Sequence, residues 1–246
     1  MATLILVRHG RTTANASGTL AGRTPGVRLD DLGREQASKA GERLAPVRLT
    51  SVVCSPLERC QETAKALLAA RPVADEQFPL PLHTDEAITE CDYGQWQGRS
   101  LKELAQEPLW RTVQTQPSAA TFPGGESMLA MQARAVAAVR KHDAAIAEAH
   151  GADAVWAVVS HGDVIKSILA DALGMHLDLF QRLHVDPASI SVIRYTEARP
   201  YVLATNTHDG GLSWLNPPAA GSDAEGERSD DAAVGGGAGP NGQSVG

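Results

Sequence analysis

Hydrophobic positions follow two rhythms along this chain, and the switches between them mark a repeated strand-then-helix order. Unbroken apolar runs predict strands Thr3–Val7 and Ala154–Val159, buried on both faces. Shorter segments, Ser51–Cys54, Ile190–Tyr195 and Tyr201–Thr205, add three more. Helical spacing predicts helices around Leu32–Leu44, Leu57–Ala70, Ser127–Ala149 and Asp163–Leu173, the last stopped by Gly174. In the second helix, Leu57, Cys60, Ala64, Leu67 and Leu68 form a stripe for packing on a sheet, with Arg59 off that face. In the third, the stripe is Leu129, Val136, Val139 and Ile146. The order of elements predicts an α/β fold, a three-layer αβα sandwich with a mostly parallel central sheet and helices on both faces.

Composition changes this picture at the C-terminus. From Pro217 onward the chain turns to Gly, Ala, Ser and Asp, with five acids (Asp223, Glu225, Glu227, Asp230, Asp231) against Arg228. Val234 is almost its only larger aliphatic residue, so residues 217–246 are expected to be a disordered acidic Gly-rich tail behind a domain of residues 1–216. The net charge of −7 argues against nonspecific binding to nucleic acid, and no stretch is apolar enough for a membrane span. The cysteines, Cys54, Cys60 and Cys91, are an odd number without a CxxC pair. They suit a reducing cytoplasm better than a disulfide framework or a structural zinc site. An exposed edge strand would allow a homodimer.

Candidate chemistry gathers at three strand ends: Arg8-His9-Gly10, Ser55-Pro56-Leu57-Glu58-Arg59 and Ser160-His161-Gly162. In open α/β sheets the ligand crevice lies outside the carboxyl ends of the strands, so parallel strands would bring the three junctions to one edge. Gly10 lets the chain turn after the first strand, and Ser55 reads as an N-cap with Pro56 as the first helical residue. Arg59 then lies one turn into a helix whose free amides favour an anion. Arg8, Arg59, His9 and His161 would surround one phosphoryl group, the two guanidiniums matching its oxygens. A neutral imidazole whose other nitrogen is held protonated by a carbonyl can attack phosphorus and form a phosphohistidine that water hydrolyses. A departing alkoxide needs a proton, and Glu86, Glu90 and Asp92 are all candidates that spacing does not separate. The remaining histidines show no HxxxH spacing, so neither a metal nor a cofactor is expected.

Four motifs in this order resemble the histidine phosphatase superfamily, which includes the cofactor-dependent phosphoglycerate mutases. They are Arg8-His9-Gly10 with Thr12 and Asn15, Ser55 to Arg59 with Thr63-Ala64, Glu90 four residues before Gly94, and Ser160-His161-Gly162, and the likeness spans residues 3 to about 205. It implies that His9 is the residue phosphorylated in turnover, that Arg8, Arg59 and His161 form the phosphate pocket, and that Glu90 is the proton donor. By the same likeness, Asn15 contacts the phosphate, Thr12 and Gly162 border it, and Gly22 lies beside the substrate. The stretch between Glu90 and His161 is shorter than the cover over the site in phosphoglycerate mutases. That favours a metal-independent phosphomonoesterase acting on a small phosphorylated metabolite over a mutase, with a non-catalytic phosphate-binding module as a third reading. Trp96, Trp110, Phe122, Arg99 and Lys102 are expected near the entrance, where they would suit a sugar phosphate, a phosphoglycerate or a nucleotide. Pro123 to Ser127 resembles a turn and helix start of the same family, without a role for Glu126.

Overall fold

The apolar run at the N-terminus becomes β1 (Thr3–Arg8), an interior strand in which Leu4, Ile5, Leu6 and Val7 are fully buried. Alternation along the strand sends Leu4 and Leu6 to one side, with Trp156, Val158, Met131 and Ile165. Ile5 and Val7 go to the other, with Ala157, Val159, Ala40 and Ala64. Two separate cores therefore sandwich one sheet, as the unbroken apolar runs require. The structure, a computed structural model, describes residues 1–71 and 80–216. The tail expected over 217–246 lies outside them.

In chain order the elements are β1, α1 (Thr13–Ser17), α2 (Asp31–Leu44), β2 (Leu49–Cys54), α3 (Glu58–Ala69), β3 (Leu82–Thr84), α4 (Leu101–Leu104), α5 (Pro108–Thr115), α6 (Met128–His150), β4 (Val155–Ser160), α7 (Gly162–Ala172), β5 (Ile190–Tyr195) and β6 (Pro200–Thr207). The sheet runs β3-β2-β4-β1-β5-β6. Pairs β2·β3, β2·β4 and β1·β4 are parallel, and β5 alone points the other way, antiparallel to β1 and β6. Helices α2 and α3 cover one face, and α6 and α7 the other. Among the described residues, no helix is long and apolar enough to cross a membrane.

Local chemistry sets the helix starts. Asp30 caps α2 by accepting from Gly33 N at 2.7 Å, and Ser127 caps α6 by accepting from Ala130 N at 3.1 Å. The α6 stripe differs from expectation: Leu129 is 50% exposed, and Met128, Met131, Ala135, Val139 and Ile146 face inward. Alanine and methionine carry much of that face, so branched aliphatics alone misplace it. Strand β3, three residues long, and the short helices α1, α4 and α5 are too brief for a periodic signal.

Candidate active site

Parallel pairing brings the three strand ends together. Arg8 is in register with Ser160, and Cys54 with Val159, so the residues that follow emerge at one edge. His9 N donates to Ser160 O at 3.0 Å, and Ser55 N donates to Val159 O at 3.0 Å, extending the ladder one residue past the strands. Gly10 is needed for closeness rather than for an unusual turn, because a Cβ there would lie 2.3 Å from the carbonyl oxygen of Gly33 at the start of α2. Its amide donates to Thr63 Oγ1 at 3.1 Å, tying the loop after β1 to α3.

His9 and His161 are buried side by side, their ring centroids 5.3 Å apart. His9 Nδ1 lies 2.7 Å from Gly10 O, an atom that only accepts, so Nδ1 carries the proton and Nε2 presents its lone pair. Arg59 Nε points at that Nε2 from 3.3 Å. Burial, with the charges of Arg59 and Arg8 behind it, holds His9 well below the ordinary histidine range. His161 is depressed in the same way, by burial first and Arg59 next. Both rings are therefore neutral near pH 7.

Ser55 departs from its predicted part. Leu57 takes the N-cap position of α3, and the Ser55 hydroxyl instead lies 2.7 Å from His161 Nε2. Arg59 consequently stands second in its helix, fully inside the protein, where Nη2 donates to Gly22 O at 2.7 Å. Arg8 Nη1 donates to Val185 O at 2.7 Å. Among the described residues, that leaves Arg8 Nε and Arg59 Nη1 as buried donors without a partner. Burying charged N–H groups unpaired is costly, and two such guanidiniums lining one pocket with the neutral imidazole of His9 make a site suited to an anion.

Glu90 lines the same pocket, whereas Glu86 is exposed and Asp92 turns back to accept from Gly94 N at 3.0 Å. Geometry thus selects among the three acids where spacing did not. Glu90 Oε2 lies 3.9 Å from His161 Nδ1, and its Oε1 accepts from Cys91 N at 2.9 Å. Burial, reinforced by the nearby charge of Asp163, pushes its carboxyl up to about 7.

A clamp that the sequence did not reveal holds the Glu90 backbone. Arg134 on α6 donates to Ala87 O and Thr89 O, each at 2.8 Å, and to Glu90 O at 3.0 Å. Arg23 Nε donates to the same Glu90 carbonyl at 2.8 Å. Glu126 joins the two cations, 2.6 Å from Arg134 Nη2 and 3.0 Å from Arg23 Nη2, and accepts from Asp92 N at 2.9 Å. The only signal in the sequence was Glu126 in its turn, since the ties to Arg23 and Glu90 span long stretches of chain.

The other expected residues fall in several places. Thr12 is buried with its hydroxyl engaged by Asn15, donating to Oδ1 at 2.9 Å and accepting from Asn15 N at 3.1 Å. It caps α1, and Asn15 reaches the pocket with its amide nitrogen left over. Gly22 supplies a carbonyl to Arg59 from a left-handed conformation (φ +51°). Gly162 opens α7, where a first-turn amide lacks an intrahelical partner. Of the expected entrance residues, Trp96 and Phe122 are core side chains in edge-to-face contact, Trp110 stacks on Trp96, and Arg99 pairs with Glu107. Two pocket residues the sequence did not single out are Tyr93 and Asp163, joined by a 2.7 Å hydrogen bond from the Tyr93 hydroxyl to Asp163 Oδ2. Among the described residues, no group of three or more His, Cys, Asp or Glu side chains is arranged to hold a metal ion.

The chain is 34% identical over 195 residues to a bifunctional protein of Mycobacterium tuberculosis, a match covering 78% of this chain but 50% of that one. It therefore spans half the length of that curated relative. It is 32% identical over 180 residues to a glucosyl-3-phosphoglycerate phosphatase of Mycolicibacterium vanbaalenii, covering 71% of this chain and 76% of the relative. The crystal structure of an alpha-ribazole phosphatase from Shigella flexneri superposes with a TM-score of 0.71 at 27% identity, over 85% of this chain and 98% of that one. The profile of the histidine phosphatase superfamily (branch 1) matches residues 4–208. With its fold, its order of strand ends and that match in agreement, the chain belongs to the histidine phosphatase superfamily.

Proposed function

We propose that this protein is a phosphomonoesterase that hydrolyses a small phosphorylated metabolite through a phosphohistidine on His9. One observation carries the reading. Two buried guanidinium donors without partners among the described residues, Arg8 Nε and Arg59 Nη1, accompany an imidazole whose Nδ1 is tied to Gly10 O and whose Nε2 is free of a proton. The phosphatase names of two relatives support the same class of reaction.

In this mechanism the phosphoryl oxygens lie between Arg8 and Arg59, and their charge is offset before reaction begins. Nε2 of His9 attacks phosphorus, forming the N–P bond as the P–O bond to the alcohol breaks. The departing oxygen takes the proton of the Glu90 carboxyl, which at about pH 7 is still partly protonated because burial opposes its ionisation. Water then attacks phosphorus, the N–P bond breaks, and the water proton passes to the Glu90 carboxylate. Inorganic phosphate leaves with His9 and Glu90 restored. His161, hydrogen-bonded to Ser55 and packed edge-on against the His9 ring, does not itself line the pocket and serves as a neutral neighbour that positions His9. Arg134, Glu126 and Arg23 are positioning residues for Glu90. The unit that does this is residues 1–216.

The test is phosphate release from p-nitrophenyl phosphate and a panel of alkyl and sugar phosphates, with chelator present, for the wild type and His9→Ala. Expected is hydrolysis that survives chelator, disappears in His9→Ala, and passes through an acid-labile phosphoryl group on His9. Silence across the panel with interconversion of phosphoglycerates would favour a mutase. Activity that survives His9→Ala would overturn the mechanism.

A further inference from the structure

The pocket encloses about 220 Å³, and its charged lining is Arg8, Arg59, Glu90 and Asp163. Both cations face the phosphoryl position. Beyond them the wall turns apolar at Leu20, Ala21 and Leu101, with Thr19 and Asn15 as neutral polar groups. Cations nearby are engaged elsewhere. Arg23 is tied to Glu126 and the Glu90 carbonyl, and Lys166 donates to Gln181 Oε1 at 3.0 Å while lying 5.3 Å from the centre of the Phe180 ring. Lys166 also forms a long ion pair with Asp163 Oδ1 at 3.8 Å, from outside the pocket lining. Among the described residues, then, no pocket-lining cation is left for a second anionic group on the substrate. Asp163, fixed by the Tyr93 hydroxyl, places a negative charge there instead.

We propose that this pocket selects phosphomonoesters whose alcohol portion is uncharged and hydroxylated, and rejects those bearing a carboxylate near the ester, with Asp163 as the specificity-determining residue. The inference rests on the phosphatase reading above. A carboxylate beside Asp163 meets a like charge in a partly desolvated cleft, where such contacts are strongly unfavourable. A hydroxyl at the same place can donate to the free lone pairs of Asp163. This choice of alcohol differs from what the name of the glucosyl-3-phosphoglycerate phosphatase describes for that relative.

The experiment compares kcat/KM for glycerol 3-phosphate and 3-phosphoglycerate, which share a three-carbon skeleton and differ by an alcohol against a carboxylate. Each protein is assayed at its own pH optimum, because Asp163 also raises Glu90. Expected is a preference of at least about tenfold for glycerol 3-phosphate in the wild type. Asp163→Asn should shrink that ratio by improving 3-phosphoglycerate. A wild-type ratio near or below one, or a ratio unmoved by Asp163→Asn, would overturn the inference while His9-dependent hydrolysis of p-nitrophenyl phosphate left the phosphatase reading standing. Loss of that hydrolysis as well would overturn both. If Asp163→Asn does not fold, competition by the two compounds against p-nitrophenyl phosphate in the wild type decides alone, weaker inhibition by 3-phosphoglycerate supporting the inference.

Discussion

His9, Ser55 and His161 each stand one residue beyond a strand of the central sheet, whereas Glu90 stands on a connection held in place by side chains from far along the chain. The first group takes its geometry from the sheet itself, since parallel register aligns the strand ends whatever the loops do. The second takes its geometry from Arg134, Glu126 and Arg23, whose hydrogen bonds to one another and to the Glu90 loop join segments far apart in the chain. One half of the site is thus a property of topology and the other a property of a partly buried charge network. They should respond differently to mutation.

Glu90→Gln should have the largest effect on the second half. It should lower kcat/KM for alkyl phosphates by about 10²–10⁴ while costing much less with p-nitrophenyl phosphate, whose leaving group departs without a proton. It should also stabilise the fold at alkaline pH. Folding raises the Glu90 carboxyl from the ordinary 4.5 to about 7, so the folded state favours the protonated form. Its contribution is full below about pH 4.5 and is lost as pH rises through 7, leaving a cost of about 3 kcal/mol above that. Denaturation of both proteins at pH 5 and pH 8 checks the sign: the advantage of Glu90→Gln should grow with pH. An equal difference at both pH values would mean that the carboxyl is not held neutral.

Arg59→Lys should come next, with about a 10²–10³-fold loss in kcat/KM for every substrate, p-nitrophenyl phosphate included. One planar fork serves His9 Nε2, the Gly22 carbonyl and the anion, and a point charge cannot reach all three. A loss confined to alkyl phosphates would break the division between the two halves of the site.

Arg134→Met should cost about 10–100-fold, because it loosens the Glu90 loop without touching the pocket. The loss should fall on alkyl phosphates and spare p-nitrophenyl phosphate, the pattern of Glu90→Gln in weaker form. A uniform loss on both substrates would make Arg134 a general structural residue rather than a positioning one.

The same division explains what was legible in the sequence. The strand ends are local, a few apolar residues followed by Arg-His-Gly or Ser-His-Gly, so fold, order of elements and the four central residues could be read from short stretches. Periodicity alone could not choose Glu90 over Glu86, and only the family resemblance, through the spacing to Gly94, pointed to Glu90; in the structure Glu90 lines the pocket on a loop held by Arg134 while Glu86 is exposed. Asp163 was hidden for another reason: one residue after the Ser-His-Gly motif it reads as an ordinary acid in the first turn of α7, and only the fold shows it lining the pocket beside Tyr93. Ser55 misled because a serine before proline is a good cap, yet its hydroxyl finds a buried histidine instead.

Asn15 and Thr12 give the finest test, because topology and side-chain ties meet in them. Asn15 Oδ1 accepts both the amide and the hydroxyl of Thr12, at 3.1 and 2.9 Å, which aims its Nδ2 at the pocket. Asn15→Ala should therefore raise KM several-fold with little change in kcat, since a neutral donor is lost while Arg8 and Arg59 remain. Thr12→Val should have a smaller effect on KM and reduce stability by about 1 kcal/mol through the lost cap. Thr12 also lines the pocket, but its hydroxyl is engaged by Asn15, so the double variant should bind no worse than Asn15→Ala alone. Additive losses in that cycle would mean that the Thr12 hydroxyl leaves its cap to meet the substrate, and the wall of the pocket formed by α1 would then be a moving part rather than a fixed one.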